Sequence, residues 1–593
     1  MYYRVGRVLS SVISFSLLGF SLAQGKELYQ LEEIQVTAPL LGEPPERVGY
    51  EVKVVPKEEL KSFGYSSFSG LDVRERGGFG VQEDLSLRGT TFEQNLVLLE
   101  GVRISDLQTG HHLTNLPFSS QHLKALEILP GGASPLYGAG GFGGALNFIL
   151  EETKPGLDYK LGFGSYNFLE SILSLGIPIK NEKTLRFNIE SRKASAFVWN
   201  RDFDIRSFNL YSKEKDHFIF YGFVEKDFGA RNFYTPRFDT EWEETRTHLF
   251  LGKKLFSFNK LIFEPALLYR KHYDYYLLDR YNPNFYRNTH ENYLYRANLP
   301  FLLQLGRVYL FFGAEGSYEK LKSSRLDEYL RRSLSFYTGV KYSPLENLYV
   351  TFQGRYDYYV GEKDFLSWGI GLAYVMKKNL KLRAQTNYSF RLPSVTELRY
   401  YSLGIKGNPN LEAEKALNIE AGFDLYNNLL ELSFTLFHRR GEDLIDWIAL
   451  PNKPTVAENI NVNTLGATLD LRKKISKHLI FLSYTYLNQK GEGIPYGRYY
   501  GNYLRHNLST GAIINFSKSV SLKGMLSYHK RLNQDGAFLL DLELEKEVFK
   551  GIKFGVWGKN LLDEKYYEVR YRGTDKGVRY IPQWLGVRLE GRF

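Results

Sequence analysis

LRFNIE, from Leu185 to Glu190, places apolar side chains at every second position and polar or charged side chains between them. LGVRLEGRF, from Leu585 to Phe593, repeats this alternation in the last segment of the chain. A period of two puts the apolar set on one face of a β-strand and the charged set on the other. Such a strand is typical of a wall between lipid and a watery or filled lumen, so these stretches predict an all-β transmembrane barrel. A soluble sandwich or propeller is the alternative, although we find no repeat of the length that a propeller needs.

Short polar turns divide the chain after residue 152 at regular intervals. They fall at or near Asn181, Glu214, Asn259, Gly306, Glu346, Lys378, Asn427, Ile475, Lys518 and Lys550. Ten such turns correspond to about 22 antiparallel strands if both ends of the barrel lie at the short-turn end. A barrel of this width leaks unless its lumen is filled.

The composition excludes several classes of protein. The 593 residues are 43% apolar, include 44 Tyr, 42 Phe and 6 Trp, and carry a formal charge of +11. The absence of Cys excludes Cys-type zinc sites, iron–sulfur clusters, disulfides and thiol catalysis. The positive charge is spread along the chain, so nucleic acid is not an expected partner. We find no phosphate-binding loop and no Ser/His/Asp grouping, which argues against an enzyme.

The first residues have the pattern of a secretory signal peptide. Arg4 and Arg7 precede an apolar run from Val8 to Leu22, and small residues lead to Ala23. This run is short for a membrane-spanning helix, so we expect cleavage after Ala23. The expected organisation is therefore a signal peptide, a flexible N-terminus, a Gly-rich plug domain without long alternating strands, and the barrel, covering 1–23, 24–39, 40–152 and 153–593 respectively.

Several motifs together resemble the TonB-dependent outer-membrane transporters. They are LEEIQVTA (Leu31–Ala38), LSLRGT (Leu85–Thr90), NLVLLEGVRI (Asn95–Ile104), SPLYGAGGFGGALNFI (Ser134–Ile149), FRLPSVTELR (Phe390–Arg399), GNPNLEAEKALNIEAG (Gly407–Gly422) and NLLDEKYYE (Asn560–Glu568), with Phe593 similar to the barrel-assembly signal of that family. The resemblance covers essentially the whole mature chain. It implies a plug inside the barrel lumen and a location in the outer membrane of a Gram-negative-type bacterium, in contact with its lipid. It also implies active import of a scarce metal chelate powered by the TonB protein, and a monomeric transporter.

The segment of Glu33, Ile34, Gln35, Val36 and Thr37 resembles the box that TonB binds. It is short, rich in residues that favour β-strands and close to a flexible end, which suits strand addition to the edge of a partner's sheet. The alternative is an ordinary first strand of the plug.

One departure from the family concerns the contact between plug and barrel. Many members have Arg-Gly-Pro before the Leu-Tyr-Gly of the plug, whereas this chain has Pro130-Gly131-Gly132. Arg88 is retained, and Glu420 lies in the barrel segment that often supplies its partner. We therefore expect a reduced lock, Arg88 to Glu420, in place of a four-residue cluster. A surface ion pair is the alternative.

The substrate is predicted from weaker resemblances. SDLQTGHHLTNLPF (Ser105–Phe118) resembles the apical plug loop of a subgroup related to cobalamin receptors. The segments Asn200–Ile205 and Asp227–Phe238 resemble barrel segments of the same subgroup. These favour cobalamin or another corrinoid, with a ferric siderophore as the alternative and a passive channel as a remote one. Haem is less expected because no His lies between Phe390–Ser394 and Asn408–Leu411.

Two stretches supply candidate ligand contacts. In the apical segment they are Asp106, Gln108, His111 and His112, although paired loop histidines are commonly only hydrogen-bonded. In the run HYDYYLLDRYNPNFYR (His272–Arg287) they are Tyr273, Tyr275, Tyr276 and Tyr281. Tyrosine offers a large, stiff contact surface with a polar tip, but it also fills the interfacial girdles of membrane barrels.

Asp202 and Asp204 are candidate calcium ligands, because carboxylates supply the hard oxygen atoms that this ion prefers. Solvated loop carboxylates are the alternative. The predicted transport requires no cofactor.

Overall fold

A computed structural model describes residues 47–593 apart from 66–67, 180–182, 378, 403, 428, 450–452, 492–496 and 572–573. The chain first forms a small inner domain and then a closed barrel. The last strand of the inner domain ends at Leu150, and the first strand of the barrel begins at Gly156. No helix in the described ranges is long and apolar enough to cross a membrane.

The inner domain is built on a mixed sheet and a separate hairpin. Its elements are β1 (Lys53–Pro56), α1 (Lys57–Phe63), β2 (Leu71–Arg76), β3 (Gln82–Leu87), β4 (Asn95–Leu99), β5 (Val102–Ile104), β6 (Leu123–Pro130), α2 (Ser134–Tyr137) and β7 (Gly144–Leu150). The sheet has the order β1-β6-β7-β4-β5, with β4 parallel to β7 and the other neighbours antiparallel. Strands β2 and β3 pair only with each other.

The core of the inner domain lies between its sheet and the barrel wall. Leu126, Ile128 and Leu146 are fully buried and belong to one cluster with Phe220 and Leu249 of the barrel. Burying a side chain of this size contributes about 1.5–3 kcal/mol. The inner domain therefore completes its core against the barrel.

The barrel elements follow in chain order as β8 (Gly156–Gly164), β9 (Phe168–Pro178), β10 (Thr184–Ala194), β11 (Phe203–Glu214), β12 (His217–Gly229), β13 (Trp242–Lys254), β14 (Phe256–Phe258), β15 (Leu261–Phe263), β16 (Ala266–Leu277), β17 (Arg287–Leu305), β18 (Val308–Ser323), β19 (Tyr329–Leu345), β20 (Leu348–Tyr359), β21 (Phe365–Lys377), β22 (Leu380–Arg391), α3 (Val395–Arg399), β23 (Tyr401–Ser402), β24 (Ile405–Lys406), β25 (Glu414–Tyr426), β26 (Leu430–Ile448), β27 (Thr455–Ile475), β28 (His478–Gly491), β29 (Leu504–Asn515), β30 (Val520–Arg531), β31 (Ala537–Phe549), β32 (Ile552–Lys559), β33 (Tyr567–Arg570), β34 (Gly577–Arg579) and β35 (Trp584–Arg592). Strands β14, β15, β23, β24, β33 and β34 are short pieces in the connections, and the other 22 form the wall in the described part of the chain.

The predicted barrel of about 22 antiparallel strands is confirmed. Of the ten predicted turn positions, six fall between consecutive described strands, Glu214 and Ile475 are the last residues of β11 and β27, and Asn181 and Lys378 lie outside the described residues. The wall closes where β35 pairs antiparallel with β8, with Leu589 opposite Leu161. At the short-turn end of this seam, the backbone N–H groups of Leu157 and Phe593 each donate to the other's carbonyl, at 2.9 and 2.8 Å.

The alternation of Leu185–Glu190 has the predicted result. Arg186, Asn188 and Glu190 are buried toward the lumen, whereas Ile189 is exposed on the outer face. Large apolar side chains cover that face elsewhere, for example Leu267 at 61% exposure. The outer surface is therefore apolar and the lumen is polar.

The inner domain fills the lumen and forms ion pairs with strands on several sides of the wall. These pairs, measured between side-chain nitrogen and oxygen atoms, are Asp106–Arg270 on β16 at 2.7 Å, Arg103–Glu315 on β18 at 3.1 Å, Lys53–Asp470 on β27 at 2.6 Å and Asp72–Arg531 on β30 at 2.8 Å. Contacts in so many directions require that the domain lie inside the barrel. We call it the plug from here on.

Candidate functional site

The predicted TonB box, Glu33, Ile34, Gln35, Val36 and Thr37, lies outside the described residues. Its role stays a prediction.

The structure brings Arg88 and Glu420 together inside the lumen. Arg88 follows β3 with a φ of +51°, a conformation that is uncommon for a side chain of this size. Its side chain is 1% exposed, and its guanidinium forms an ion pair with the carboxylate of Glu420 on β25. The guanidinium carbon also lies 4.2 Å from the centre of the Phe437 ring. The pair is therefore buried in the interface and is not a surface ion pair.

The lock is larger than the expected pair of residues. Glu51 of the plug binds the other side of the Arg88 guanidinium. Its carboxylate also lies 3.1 Å from Lys53 Nζ and accepts a hydrogen bond of 2.8 Å from the hydroxyl of Thr435. Burial raises the pKa of Glu51, but Lys53 and Arg88 outweigh it and hold the pKa well below its ordinary value. Glu51 is therefore a charged third member.

The sequence analysis missed Glu51. The available signal was the stretch GYEVKVVP, in which Glu51 and Lys53 share one face of an extended segment between apolar residues. Two opposite charges on an otherwise buried face indicate a polar partner across an interface.

The stretch at Pro130–Gly132 meets the barrel through its backbone. A Cβ atom on Gly132 would lie 1.9 Å from Oδ1 of Asn387 and 2.1 Å from Oγ of Ser389. Gly131 has a φ of +85°, and a Cβ there would lie 3.3 Å from Oε2 of Glu420. This turn therefore depends on the absence of side chains at Gly131 and Gly132. Because the turn offers no arginine, the ion pair of Glu420 is formed with Arg88.

The predicted ligand residues of the apical segment are buried against the barrel. Asp106 is bound by Arg270, and the amide nitrogen of Gln108 donates to Asp274 at 2.8 Å. The amide oxygen of Gln108 accepts from Asn292 at 3.1 Å. These two residues therefore join plug to wall and are not displayed toward the outside.

The two histidines of this segment are also enclosed. His111 Nδ1 lies 2.6 Å from Oδ1 of Asp84, and its ring stacks on Phe92 with 3.8 Å between centroids. Burial lowers the pKa of His111, although Asp84 opposes this effect. The centre of the His112 ring lies 4.5 Å from that of His272, and the two rings are tilted by 33°. Neither histidine is displayed as a ligand contact at the plug apex.

The predicted tyrosine contacts separate into three positions. Tyr273 and Tyr275 alternate along β16 with the buried residues His272 and Asp274, so they lie on the outer face of the barrel. These two residues therefore lie on a barrel strand and not in a long loop, and their role in ligand binding stays a prediction. Tyr276 is inward and donates to Glu241 at 2.7 Å.

Tyr281 remains available at the long-loop end. Its side chain is 69% exposed, and its ring stacks beside Trp199 with 6.5 Å between centroids. Phe285 and Tyr401 are other exposed aromatic residues of the long loops. A group of exposed aromatic side chains is thus present on the long loops.

Both calcium candidates, Asp202 and Asp204, are bound by arginine side chains, and a calcium site there stays a prediction. Asp202 is held by Arg280 at 2.7 Å, and Asp204 pairs with the neighbouring Arg206. Each carboxylate is thus neutralised by a guanidinium, which does not favour a shared cation.

Comparisons with known proteins agree with this architecture. The protein-family model described as TonB dependent receptor-like, β-barrel matches residues 145–571. The family model of the TonB-dependent receptor plug domain matches residues 44–145. Vitamin B12 transporter BtuB of Vibrio vulnificus is 24% identical over 486 residues, covering 74% of this chain and 75% of that protein.

Solved structures share the fold at low sequence identity. The siderophore receptor PirA from Acinetobacter baumannii has a TM-score of 0.74 at 12% identity, covering 93% of this chain and 99% of its own. The ferric-catecholate import receptor Fiu from Escherichia coli K12 has a TM-score of 0.75 at 12% identity, covering 94% and 99%. With a filled 22-strand barrel and both family models matched, the chain belongs to the TonB-dependent receptors, and it is an outer-membrane transporter and not an enzyme.

Proposed function

We propose that this transporter imports a corrinoid such as cobalamin, and that TonB acts through Glu33–Thr37. The observation that carries the substrate is the similarity to a vitamin B12 transporter, which extends over about three quarters of both chains. The apical segment Ser105–Phe118 has the resemblance noted above to cobalamin receptors, but its polar residues are engaged with the barrel. First contact with the ligand is therefore assigned to the long loops.

The exposed aromatic residues of those loops suit a bulky ligand. Trp199 and Tyr281 stack side by side, and Phe285 is 58% exposed. Aromatic side chains bury 150–250 Å² each as an approximate range and lose little conformational entropy on binding. A corrinoid offers a large ring system that such a surface can contact.

A ferric siderophore is the second candidate, because the same loops pair aromatic rings with arginine. The guanidinium of Arg325 lies 4.5 Å from the centre of the Tyr286 ring, and that of Arg231 lies 5.8 Å from Trp199. Cations beside aromatic rings fit an anionic aromatic chelate.

Calorimetry on the purified full-length protein tests the substrate. We expect cyanocobalamin to bind with at least micromolar affinity, a free energy of about −8 kcal/mol. The variants Trp199→Ala and Tyr281→Ala should weaken binding, whereas Tyr273→Ala, on the outer face, is the matched control and should not. Saturable heat with a ferric siderophore and none with corrinoids would replace the first candidate by the second.

A proline substitution tests the assignment of the TonB box. Ile34→Pro removes a backbone donor and fixes φ, so it interrupts strand pairing with a partner while leaving the loops and barrel intact. We expect normal ligand binding to cells and no accumulation inside them, at equal surface level. Ile34→Ala keeps the backbone N–H and separates loss of the side chain from loss of pairing. Accumulation by Ile34→Pro at the wild-type rate would show that energy is coupled elsewhere.

A further inference from the structure

Three buried side chains meet where the apical segment of the plug contacts the barrel wall. They are His112 of the plug, Glu243 at the start of β13 and Asp274 near the end of β16, at 3%, 1% and 3% exposure. His112 Nε2 lies 3.8 Å from Oε1 of Glu243 and 3.8 Å from Oδ2 of Asp274. One nitrogen or oxygen atom from each residue lies within 4.8 Å of the other two.

The two carboxylates lack a permanent cation. Within the described ranges, neither Glu243 nor Asp274 forms an ion pair with a lysine or arginine, and His112 is the basic group nearest to both. The neighbouring Arg270 is bound to Asp106. Burying a carboxylate without a positive partner is costly. The site therefore has a deficit of positive charge.

One oxygen of each carboxylate is left without a partner. Oε1 of Glu243 and Oδ1 of Asp274 have no hydrogen-bond donor among the residues that the structure describes. Their second oxygens are fixed, because the Tyr234 hydroxyl donates to Glu243 and Gln108 donates to Asp274 at 2.8 Å. Outer hydrogen bonds of this kind orient ligand groups around a metal ion.

Two further histidines lie beside these residues, His272 on β16 and His290 on β17. The His272 ring lies against that of His112, its Nδ1 lies 2.8 Å from the Thr247 hydroxyl, and its Nε2 has no partner within the described chain. His290 lies opposite Asp274 in the pairing of β16 with β17, and its Nδ1 is likewise without a partner there. Additional nitrogen donors are thus at hand beside the three residues.

We propose that His112, Glu243 and Asp274 bind one divalent cation of the Zn²⁺ class across the interface between plug and barrel. Zinc accepts imidazole nitrogen and carboxylate oxygen at about 2.0–2.2 Å, so two ligand atoms on one tetrahedral ion lie about 3.4 Å apart. The separations of 3.8 Å from His112 to each carboxylate approach this value. The imidazole disfavours Ca²⁺ and Mg²⁺, which prefer oxygen alone. The site does not depend on the nature of the imported chelate.

Metal content of the purified full-length protein tests the site. The protein is stripped with a chelator, dialysed against ZnCl₂ and then against buffer, and its zinc is measured by mass spectrometry. We expect about one zinc ion per wild-type chain and less than a tenth of that in Glu243→Gln/Asp274→Asn. The control Glu225→Gln/Glu244→Gln removes the same two charges from positions that are ion-paired with Arg246 on the adjacent wall, and it should retain zinc.

A spectrum and a folding check separate metal ligation from misfolding. Co²⁺ in place of Zn²⁺ should give visible absorption bands of tetrahedral ligation in the wild type and the control, and not in the double variant. Heat-modifiable migration on a gel verifies that each barrel is folded. The proposal would be overturned if the wild type retained no zinc, or if the folded double variant retained as much zinc as the wild type. If the wild type retained none, a proton shared between the two carboxylates would explain their burial.

Cells expressing the full chain distinguish a resident ion from an imported one. If accumulation of radioactive zinc requires an intact Ile34 and is lost in Ile34→Pro, the bound ion is cargo. If both chains bind zinc and neither accumulates it, the ion is a fixed link between plug and wall. Both of these results agree with a zinc site and differ only in the role of the ion. The existence of the site is tested by the metal content of the purified protein.

Discussion

At the scale of single residues, Arg88 carries the positive charge that lies between Glu51 and Glu420. Replacing it by glutamine leaves two buried carboxylates facing each other, with Lys53 and Arg383 as cations beside Glu51. Breaking a buried pair costs about 3–5 kcal/mol because the charge left behind stays desolvated. We expect Arg88→Gln to loosen the plug, which limited proteolysis in increasing urea detects as earlier cleavage of residues 47–150.

Arg246→Gln is the matched control for that substitution. Arg246 also forms two ion pairs with carboxylates, those of Glu225 and Glu244, but its side chain is 47% exposed on the outer side of the wall. Exposed pairs contribute about 0–1 kcal/mol. Equal urea sensitivity of the two variants would mean that the buried lock does not hold the plug.

The partners of Arg88 show what could be predicted from the residues alone. Motif order indicated Arg88 and Glu420, which the structure places in contact. Glu51 was missed because a partner in the same domain has no fixed sequence distance. Tyr273 and Tyr276 were grouped together, although three residues apart on a strand means opposite faces. Apolar residues at alternate positions normally mark the outer face of a barrel strand. Where both faces carry polar or tyrosine side chains, the sequence does not show which face is inward.

At the scale of elements, the turn Pro130–Gly132 depends on close approach of backbone to wall. Gly132→Ala places a methyl group within 1.9 Å of Asn387 Oδ1, so the turn or the strand must shift. Overpacking of this kind costs about 1–3 kcal/mol. We expect a lower urea midpoint for plug cleavage in this variant.

Gly354→Ala is the control for the turn, because no atom lies within 4 Å of a Cβ at that strand position. It should behave as the wild type. If Gly132→Ala does so too, the plug has room at this contact and the close fit of the turn is not required.

At the scale of the whole molecule, the plug makes a wide barrel impermeable. Its ion pairs reach β11, β16, β18, β27 and β30, so the plug is held on several sides of the lumen. We expect the purified protein to show no steady currents in a planar bilayer. A chain lacking residues 47–150 should conduct strongly, provided that it retains heat-modifiable migration. Large, steady currents from the full-length protein would contradict a filled lumen.

The seam between β35 and β8 has a consequence for the order of events in the cell. Leu157 and Phe593 exchange two hydrogen bonds, although almost the whole wall separates them along the chain. A ribosome makes Leu157 long before Phe593, so β8 has no closing partner until β35 has been synthesised. Any sheet formed before then is open and has two unpaired edges, which are templates for aggregation. The topology therefore requires that the unpaired strand edges be protected from aggregation until β35 pairs with β8.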